Sequence, residues 1–509
     1  MVAGLLSDLG HDVSLKTFET VMSTPRIIEE HDALLISVMS QDMGALEKLV
    51  NLARRSLGYK GIVMVGGPGS FDYEKILREI KGIDYVVVGE AEIPLRKLFG
   101  DKQHVLLEKN PRELGEIPAL AYIHEDKVVL TTQHLHTPRE ILSSLNPWVR
   151  IDESYPNHRI YRYYVEVLRG CSNFHRPLIR GYPGLECIRC MLCYSRDLSK
   201  RLNCPVGIPP GCGFCSVPYQ FGSPRSRDPE STVREIEGLI EHGARRIVLS
   251  APDFLDYMRE KLVEPHPLTD PCKPGANKEA IEELLSMIHD IPDVTAGKIR
   301  VFVENIKACL VDEEVAEIFG RYLKGTTIHI GLETGDYEFN KLIGKPIGPK
   351  EVLRAIRLLK KHGLRPYVYL MYGLPFMTRR TYEKTIRIVK KLRSMGVEKI
   401  TLYKFTPLPH TAFSRLKPET RRHRRLIAEL KEIVDKHNMY MKKRLIGKRI
   451  EAYLLYSNGK YYGYPADHGP VIFVKNLDNP QYSGCKGIVE ITDIAPRHVW
   501  GRFVKIIDC

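Results

Sequence analysis

The chain has 509 residues, 43% hydrophobic and 27% charged, which suffices to bury ordinary globular cores and suggests two to four domains. Its formal net charge of +14 suits a polyanionic partner such as RNA, and equally an inert basic surface. No run of about eighteen apolar residues occurs, which excludes a membrane-spanning helix.

The first hundred residues alternate short apolar runs with helical stretches. Strands are expected at 12–15, 33–38, 61–65 and 84–88, and helices at 1–9, 44–57 and 72–80. That rhythm predicts a doubly wound, Rossmann-like parallel sheet over residues 1–100, with ligands held by loops at the carboxyl ends of its strands. Those loops carry Gly66, Gly67 and Gly69, and then Gly89 and Glu90, where glycine lets a large flat ligand approach the backbone. A Rossmann-like domain that binds no cofactor is the plain alternative.

Residues 101–160 read as a connector with a small hairpin at 116–132. A second β/α series spans 161–414. Strands are expected at 164–168, 246–250, 298–304, 327–331, 365–372 and 399–405, with helices at 229–242, 278–288, 312–323, 350–362 and 380–395. Six β/α units predict a partial parallel barrel whose working groups stand at the carboxyl ends of its strands.

Seven of the eleven cysteines crowd into residues 171–215, on an insertion after the first barrel strand. They are Cys171, Cys187, Cys190, Cys193, Cys204, Cys212 and Cys215. Soft thiolates at this density select iron–sulfur clusters or zinc. The count divides as three plus four: three thiolates leave one iron of a [4Fe–4S] cluster open, and four close a second site. The doublet Cys212-Gly213-Phe214-Cys215 resembles the end of the radical-SAM cysteine motif, which implies that these two belong to the three. Cys171 or Cys204 completes it, leaving Cys187, Cys190, Cys193 and the remaining cysteine for the second cluster or a zinc. Disulfides are not expected in a long chain without a secretory leader. Cys272, Cys309, Cys485 and Cys509 are read as ordinary core or surface residues, and the unpaired thiols as a sign of a reducing cytoplasm. Residues 415–444 predict a basic helix around Arg421–Arg425. Residues 445–509, short strands with turns at 457–459, 467–469 and 483–485, predict a small β-barrel.

Several segments carry a family resemblance. Gly213-Phe214-Cys215-Ser216-Val217-Pro218, Gly331-Leu332-Glu333-Thr334-Gly335-Asp336, Tyr372-Gly373-Leu374-Pro375 and Pro407-Leu408-Pro409-His410-Thr411, in that order, resemble the methylthiotransferase and cobalamin-dependent branches of the radical-SAM superfamily over about residues 160–415. The glycine turns of residues 1–100 resemble the cobalamin-binding domain preceding many such cores, although the chain opens on a helix where that family has a strand. No Asp-x-His-x-x-Gly setting marks an axial histidine. Residues 445–509 resemble the TRAM domain, an RNA-binding module.

The resemblance implies an α/β fold of three parts: an N-terminal Rossmann-like domain, a central partial (β/α)6 radical-SAM barrel and a C-terminal small β-barrel. It implies a [4Fe–4S] cluster, S-adenosylmethionine, a second cluster (or zinc) and cobalamin. It also implies an electron donor such as ferredoxin or flavodoxin, an RNA partner (tRNA or rRNA) and no membrane. Asp253, Glu304 and Glu333 become candidates for holding S-adenosylmethionine, with a salt-bridged rim as the alternative for each glutamate. Tyr369 and Tyr372 shape the cavity or fill the core. No catalytic residue is assigned. The expected reaction is methyl transfer to an unreactive carbon of RNA. Sulfur insertion of the methylthiotransferase kind, a protein or lipid substrate, and a non-enzymatic binding protein are the alternatives. Residues 445–509 are expected to be dispensable for cleavage of S-adenosylmethionine.

Overall fold

Short apolar runs build the first sheet. In the computed structural model, which describes residues 1–132 and 136–509, β1 (Ala33–Ser37), β2 (Ile62–Gly66) and β3 (Tyr85–Val87) pair in parallel. β4 (Leu120–His124) and β5 (Lys127–Leu130) extend the edge as an antiparallel hairpin. Val63, Met64, Val65 and Val86 are fully or almost fully buried, as befits a parallel sheet covered on both faces. The expected strand at 12–15 does not form: Val13 packs on the core, but the segment pairs with no described strand. Residues 133–135 of the connector lie outside the described residues. The sheet belongs to a unit of residues 1–156, 220–222 and 408–410; residues 157–219, 223–407 and 411–509 form a second unit.

The second unit opens with β6 (Tyr163–Glu166). β7 (Leu168–Arg169) and β8 (Arg225–Ser226) form a small ribbon, and β9 (Arg246–Ser250), β10 (Arg300–Val303), β11 (Asn305–Ile306), β12 (Thr327–Glu333), β13 (Arg365–Tyr372) and β14 (Lys399–Lys404) follow. Two parallel sheets, β10-β9-β6 and β11-β12-β13-β14, meet where Glu304 separates β10 from β11. The period of two sorts the side chains. Ile328, Ile330 and Leu332 on β12, with Val368 and Leu370 on β13, are fully buried on the helix side, where helix Pro349–Lys361 packs. The alternate set, including Tyr164, His329, Tyr369 and Tyr403, faces the barrel interior.

Helix Arg424–Lys443 starts later than the expected 415–444, because Pro418 and the turn before it hold the chain out of the helical region. After it, β15 (Arg449–Ser457), β16 (Lys460–Pro465), β17 (Ile472–Lys475), β18 (Lys486–Ile494) and β19 (Val499–Asp508) close into a barrel of order β15-β16-β17-β19-β18.

The turn after β16 closes the amino-terminal end of the larger barrel. His468 Nδ1 bonds the Thr327 hydroxyl at 2.6 Å, and its ring meets Phe302 at 4.6 Å. Asp467 pairs with Arg300 at 3.2 Å, Arg365 donates to the His468 carbonyl at 3.3 Å, and Arg246 to that of Pro465 at 3.0 Å. Arg246, Arg300, Thr327 and Arg365 each begin a strand, so these contacts lie at the end of the barrel opposite the strand exits.

Cysteine pairing departs from expectation. Cys272 bridges Cys309, and Cys485 bridges Cys509. The fold brings together loops 37 and 24 residues apart, which spacing alone does not reveal. The cysteine count therefore no longer argues for a reducing compartment. Among the described residues no helix is long and apolar enough to cross a membrane.

Candidate cluster and cofactor sites

The ribbon of β7 and β8 carries the chain from the first barrel strand into the cysteine-rich insertion. Cys171 follows β7 directly. Cys212 and Cys215 sit on a turn in which the Cys215 amide donates to the Cys212 carbonyl at 2.9 Å. That turn is pinned from two sides: the Gly213 amide donates to the Ile343 carbonyl, and the Phe413 amide to the Gly213 carbonyl, both at 2.8 Å. Only glycine fits at 213, since a Cβ there would stand 2.6 Å from the Phe413 ring.

Asn173 joins the two ends of the insertion. Its backbone amide donates to Cys171 Sγ at 3.4 Å, and its side-chain amide to Cys212 Sγ at 3.2 Å and to the Gly344 carbonyl at 2.9 Å. Burial pushes the Cys171 thiol up to about 11 and the Cys212 thiol up to about 12, and the Cys215 thiol is raised for the same reason. Cys215 adds to the rise of both, and Cys171 to that of Cys212, so the three stand within electrostatic reach of one another. All three are free and keep some accessible surface, as groups lining a recess do.

Two lysines face this recess. Lys345 pairs with Glu333 at 2.5 Å and favours the thiolates of Cys212 and Cys215. Glu333 holds a left-handed φ of 63° at the end of β12, a strained position of the kind found at working sites. Gly331 is glycine for a reason visible here: a Cβ would meet both Glu333 Oε1 and Lys345 Nζ at 2.8 Å. Lys307 bonds Asp253 and Asp256 at 2.6 Å each and the Ser172 hydroxyl at 3.0 Å. Arg259 completes this buried charge cluster against Asp256. Burial works against the charge on Lys307, but the two aspartates outweigh it and hold its pKa above the ordinary lysine value. Sequence reasoning missed Lys307, Lys345 and Asn173, none of which lies in a recognisable motif.

The other candidates are placed differently. Asp253 is almost fully buried and its carboxylate is engaged by Lys307, so it presents little to a ligand. Glu304 sits half-buried in the barrel interior with the Tyr164 hydroxyl 3.3 Å from its Oε1. Burial raises its pKa. Cys187 is exposed and Cys190, Cys193 and Cys204 half-buried. Arg176 ties Cys193 to the loop that holds Cys204: it donates to Cys193 Sγ at 2.9 Å, to the Ile208 carbonyl at 2.7 Å and to Arg201. Among the described residues no three acidic, histidine or cysteine side chains are gathered to hold a single metal ion.

In the first unit the exits of β1, β2 and β3 share one edge, because the strands are parallel. Gly67 and Gly69 are tight: a Cβ would approach Val38 or Met39 backbone within 3.0 Å. Gly66 is open, with nothing nearer than the Val87 carbonyl at 4.0 Å. Gly89 has φ 90° and its amide donates to the Ser70 hydroxyl at 3.2 Å. Glu90 turns inward and accepts the Thr137 amide at 2.8 Å. The edge therefore offers a flat backbone cradle, which fits a corrinoid ring at Gly66 better than at Gly67.

Comparison with known proteins agrees with this layout. Residues 203–389 match the model of the Radical SAM superfamily, and residues 1–99 that of the B12 binding domain. The superfamily match begins after Cys171, so the grouping of Cys171 with Cys212 and Cys215 rests on geometry. The uncharacterized protein MJ1620 of Methanocaldococcus jannaschii is 38% identical over the whole chain and 94% of its own length. A tRNA-2-methylthio-N(6)-dimethylallyladenosine synthase of Clostridium novyi is 22% identical over 75% of this chain and 81% of its own. Among solved structures, the radical S-adenosylmethionine methyltransferase TsrM from Kitasatospora setae, with cobalamin and a [4Fe–4S] cluster bound, has TM-score 0.57 at 16% identity. It covers 81% of this chain and 70% of that one.

Proposed function

We propose that the chain, which belongs to the family of the Methanocaldococcus jannaschii protein and matches the Radical SAM and B12 binding models, is a cobalamin-dependent radical-SAM enzyme. On that premise we propose that it transfers a methyl group to an unreactive carbon of RNA. The observation that carries the reading is the recess of Cys171, Cys212 and Cys215 at the strand exits of a radical-SAM barrel, in a chain that also bears a B12 binding domain.

When bound, the [4Fe–4S] cluster, S-adenosylmethionine and cobalamin supply the radical and methyl-transfer chemistry. The protein's part is orientation and charge. Cys171, Cys212 and Cys215 would hold the open cluster as thiolates, giving up their protons to do so. Asn173 fixes the spacing of two of them. Lys345 and Lys307 offset the negative charge of the thiolates. Glu333, paired with Lys345 beside Gly331, would receive the amino end of S-adenosylmethionine. Cys187, Cys190, Cys193 and Cys204 would hold a second cluster or a zinc.

The +14 charge supports RNA. So does a groove lined by Arg393, Lys431, Lys436, Tyr440 and Lys443, although Glu432 and Asp435 interrupt it. The closed five-stranded barrel at residues 449–508 supports the proposed resemblance to an RNA-binding module. A cytoplasmic location follows from such a substrate. The test is anaerobic incubation of the loaded enzyme with methyl-deuterated S-adenosylmethionine and total tRNA or rRNA. Deuterated methyl on a base or ribose carbon is expected; label confined to protein would move the substrate class.

Methylthiolation is the second reading. The Clostridium relative and the extra cysteine set favour it. It requires sulfur in the product, which mass spectrometry of the same RNA distinguishes from a methyl group.

A further inference from the structure

We infer that the outer face of the C-terminal barrel holds unpaired bases of single-stranded RNA on a row of three aromatic rings. The inference rests on the proposed RNA substrate and deepens it, naming the surface and the kind of segment that surface takes.

Alternation sorts the side chains of β16, β17 and β19 onto two faces. Tyr461, Ile472, Val474 and Val499 turn inward and build the barrel's core. Tyr462, Phe473 and Trp500 turn outward and stand in register, Tyr462 opposite Phe473 and Phe473 opposite Trp500. Their ring centroids are 5.0 and 5.1 Å apart and their planes cross at 70° and 51°. Rings tilted in this way do not cover one another's faces. The His498 ring, 4.1 Å from that of Phe473, braces the middle of the row. The core is complete without these rings, so three large aromatics in a row on the outer face mark a contact surface.

A row of cations runs beside the rings. Lys475 and Arg502 stand opposite each other, two positions along from Phe473 and Trp500, and Lys460 lies two positions from Tyr462 on the same face. All three are exposed. Two residues of strand separate the rows by about 7 Å, and Lys475 Nζ reaches back to 4.8 Å from the Trp500 ring centroid. Glu490 faces Arg502 at 3.6 Å but shares its charge with Arg449 at 3.7 Å. A strand with its phosphates on the cations can lay its bases on the rings. A base inside a duplex has both faces taken by its neighbours, so the rings require unpaired bases. Stacking asks only for a π-face, so all four bases qualify. An acidic peptide would meet the cations and leave the rings empty.

The test titrates the full-length reconstituted enzyme with a short fluorescein-labelled oligouridine and with its duplex, reading anisotropy and tryptophan emission. The single strand should bind at least about ten-fold tighter than the duplex. It should quench emission in the wild type, and Trp500→Phe, which keeps a ring, should lose that quenching and keep the affinity. Phe473→Ala should weaken oligouridine about ten-fold and Phe473→Tyr restore it, with melting temperature and salt slope unchanged. Lys475→Gln should instead lower the salt slope by about 0.7. Equal affinity for strand and duplex, no quenching that depends on Trp500, or full affinity in Phe473→Ala overturns the inference. So does polyglutamate that quenches Trp500 as strongly as oligouridine, which would make the face a protein site. Methyl transfer to total RNA is measured in parallel. If RNA is methylated but oligouridine does not engage Trp500, the inference fails and the RNA reading stands. If oligouridine binds as expected and no RNA is methylated, the inference stands and the RNA reading fails.

Discussion

Asn173 donates its side-chain amide to the sulfur of Cys212 at 3.2 Å, across 39 positions of sequence. The same residue's backbone amide faces Cys171 Sγ, so one asparagine spans the insertion and brings its two ends to one recess. Cys204 instead lies on the loop held by Arg176. Replacing Cys171 or Cys212 by alanine should therefore abolish reductive cleavage of S-adenosylmethionine. Cys204→Ala should retain cleavage while iron falls from about eight per chain towards four. The reverse order of effects would move Cys204 into the open cluster.

Cobalamin should be sensitive to Gly66 rather than Gly67. Gly66 faces open space, so Gly66→Val should keep the fold and the iron while reducing co-purified corrinoid. Gly67→Val should unfold the first unit's loops, since even its Cβ would press on Val38 and Ser37 within 3.0 Å. Corrinoid retained at one equivalent by Gly66→Val would remove this edge as the binding site.

Much of the barrel is legible in the sequence because periodicity and burial agree there: the strand at 365–372 reads as alternating faces and forms as such. The 12–15 strand fails because Val13 finds no pairing partner. The pairings Cys272–Cys309 and Cys485–Cys509 are set by tertiary approach alone. The greatest gap concerns residues 445–509. They read as an appended module, yet the Asp467–His468 turn seals the barrel's far end through Arg300, Thr327 and Arg365. No local pattern signals that contact. Lys345 and Lys307 were invisible for the same reason: a lysine twelve residues from its glutamate carries no motif.

Deleting residues 445–509 should consequently cost the whole second unit stability. It exposes Phe302, His329 and Thr327, three buried side chains at the barrel's end. Loss of S-adenosylmethionine cleavage together with RNA binding is the expected outcome. A truncated protein with full cleavage activity and an unchanged melting temperature would show that the plug is incidental.

Acid should loosen that plug. Burial holds His329 down to about 4 and His468 to about 2, against an ordinary value of 6.5, and the Arg162 cation adds to both. The unfolded chain therefore binds protons that the folded chain refuses. Stability is full above pH 6.5 and declines as pH falls towards 4, by on the order of 3 kcal/mol from His329 alone. Urea midpoints across this window should fall for the wild type and fall less for His329→Gln. An identical pH slope in both would exclude His329 as the source.

RNA binding should weaken steeply with salt, each phosphate contact contributing about 0.7–0.9 to the slope. Neutralising Lys431 and Tyr440's neighbour Lys443 should lower the slope by roughly one to two. An unchanged slope would place the contacts elsewhere on the surface.

The most direct measurement is the electron paramagnetic resonance spectrum of the reduced protein with and without S-adenosylmethionine. An open iron held by Cys171, Cys212 and Cys215 predicts a spectrum that shifts when S-adenosylmethionine is added, in wild type and Cys204→Ala alike, and no shift in Cys171→Ala. A wild-type spectrum indifferent to S-adenosylmethionine, or a shift that survives Cys171→Ala and vanishes in Cys204→Ala, would contradict the account.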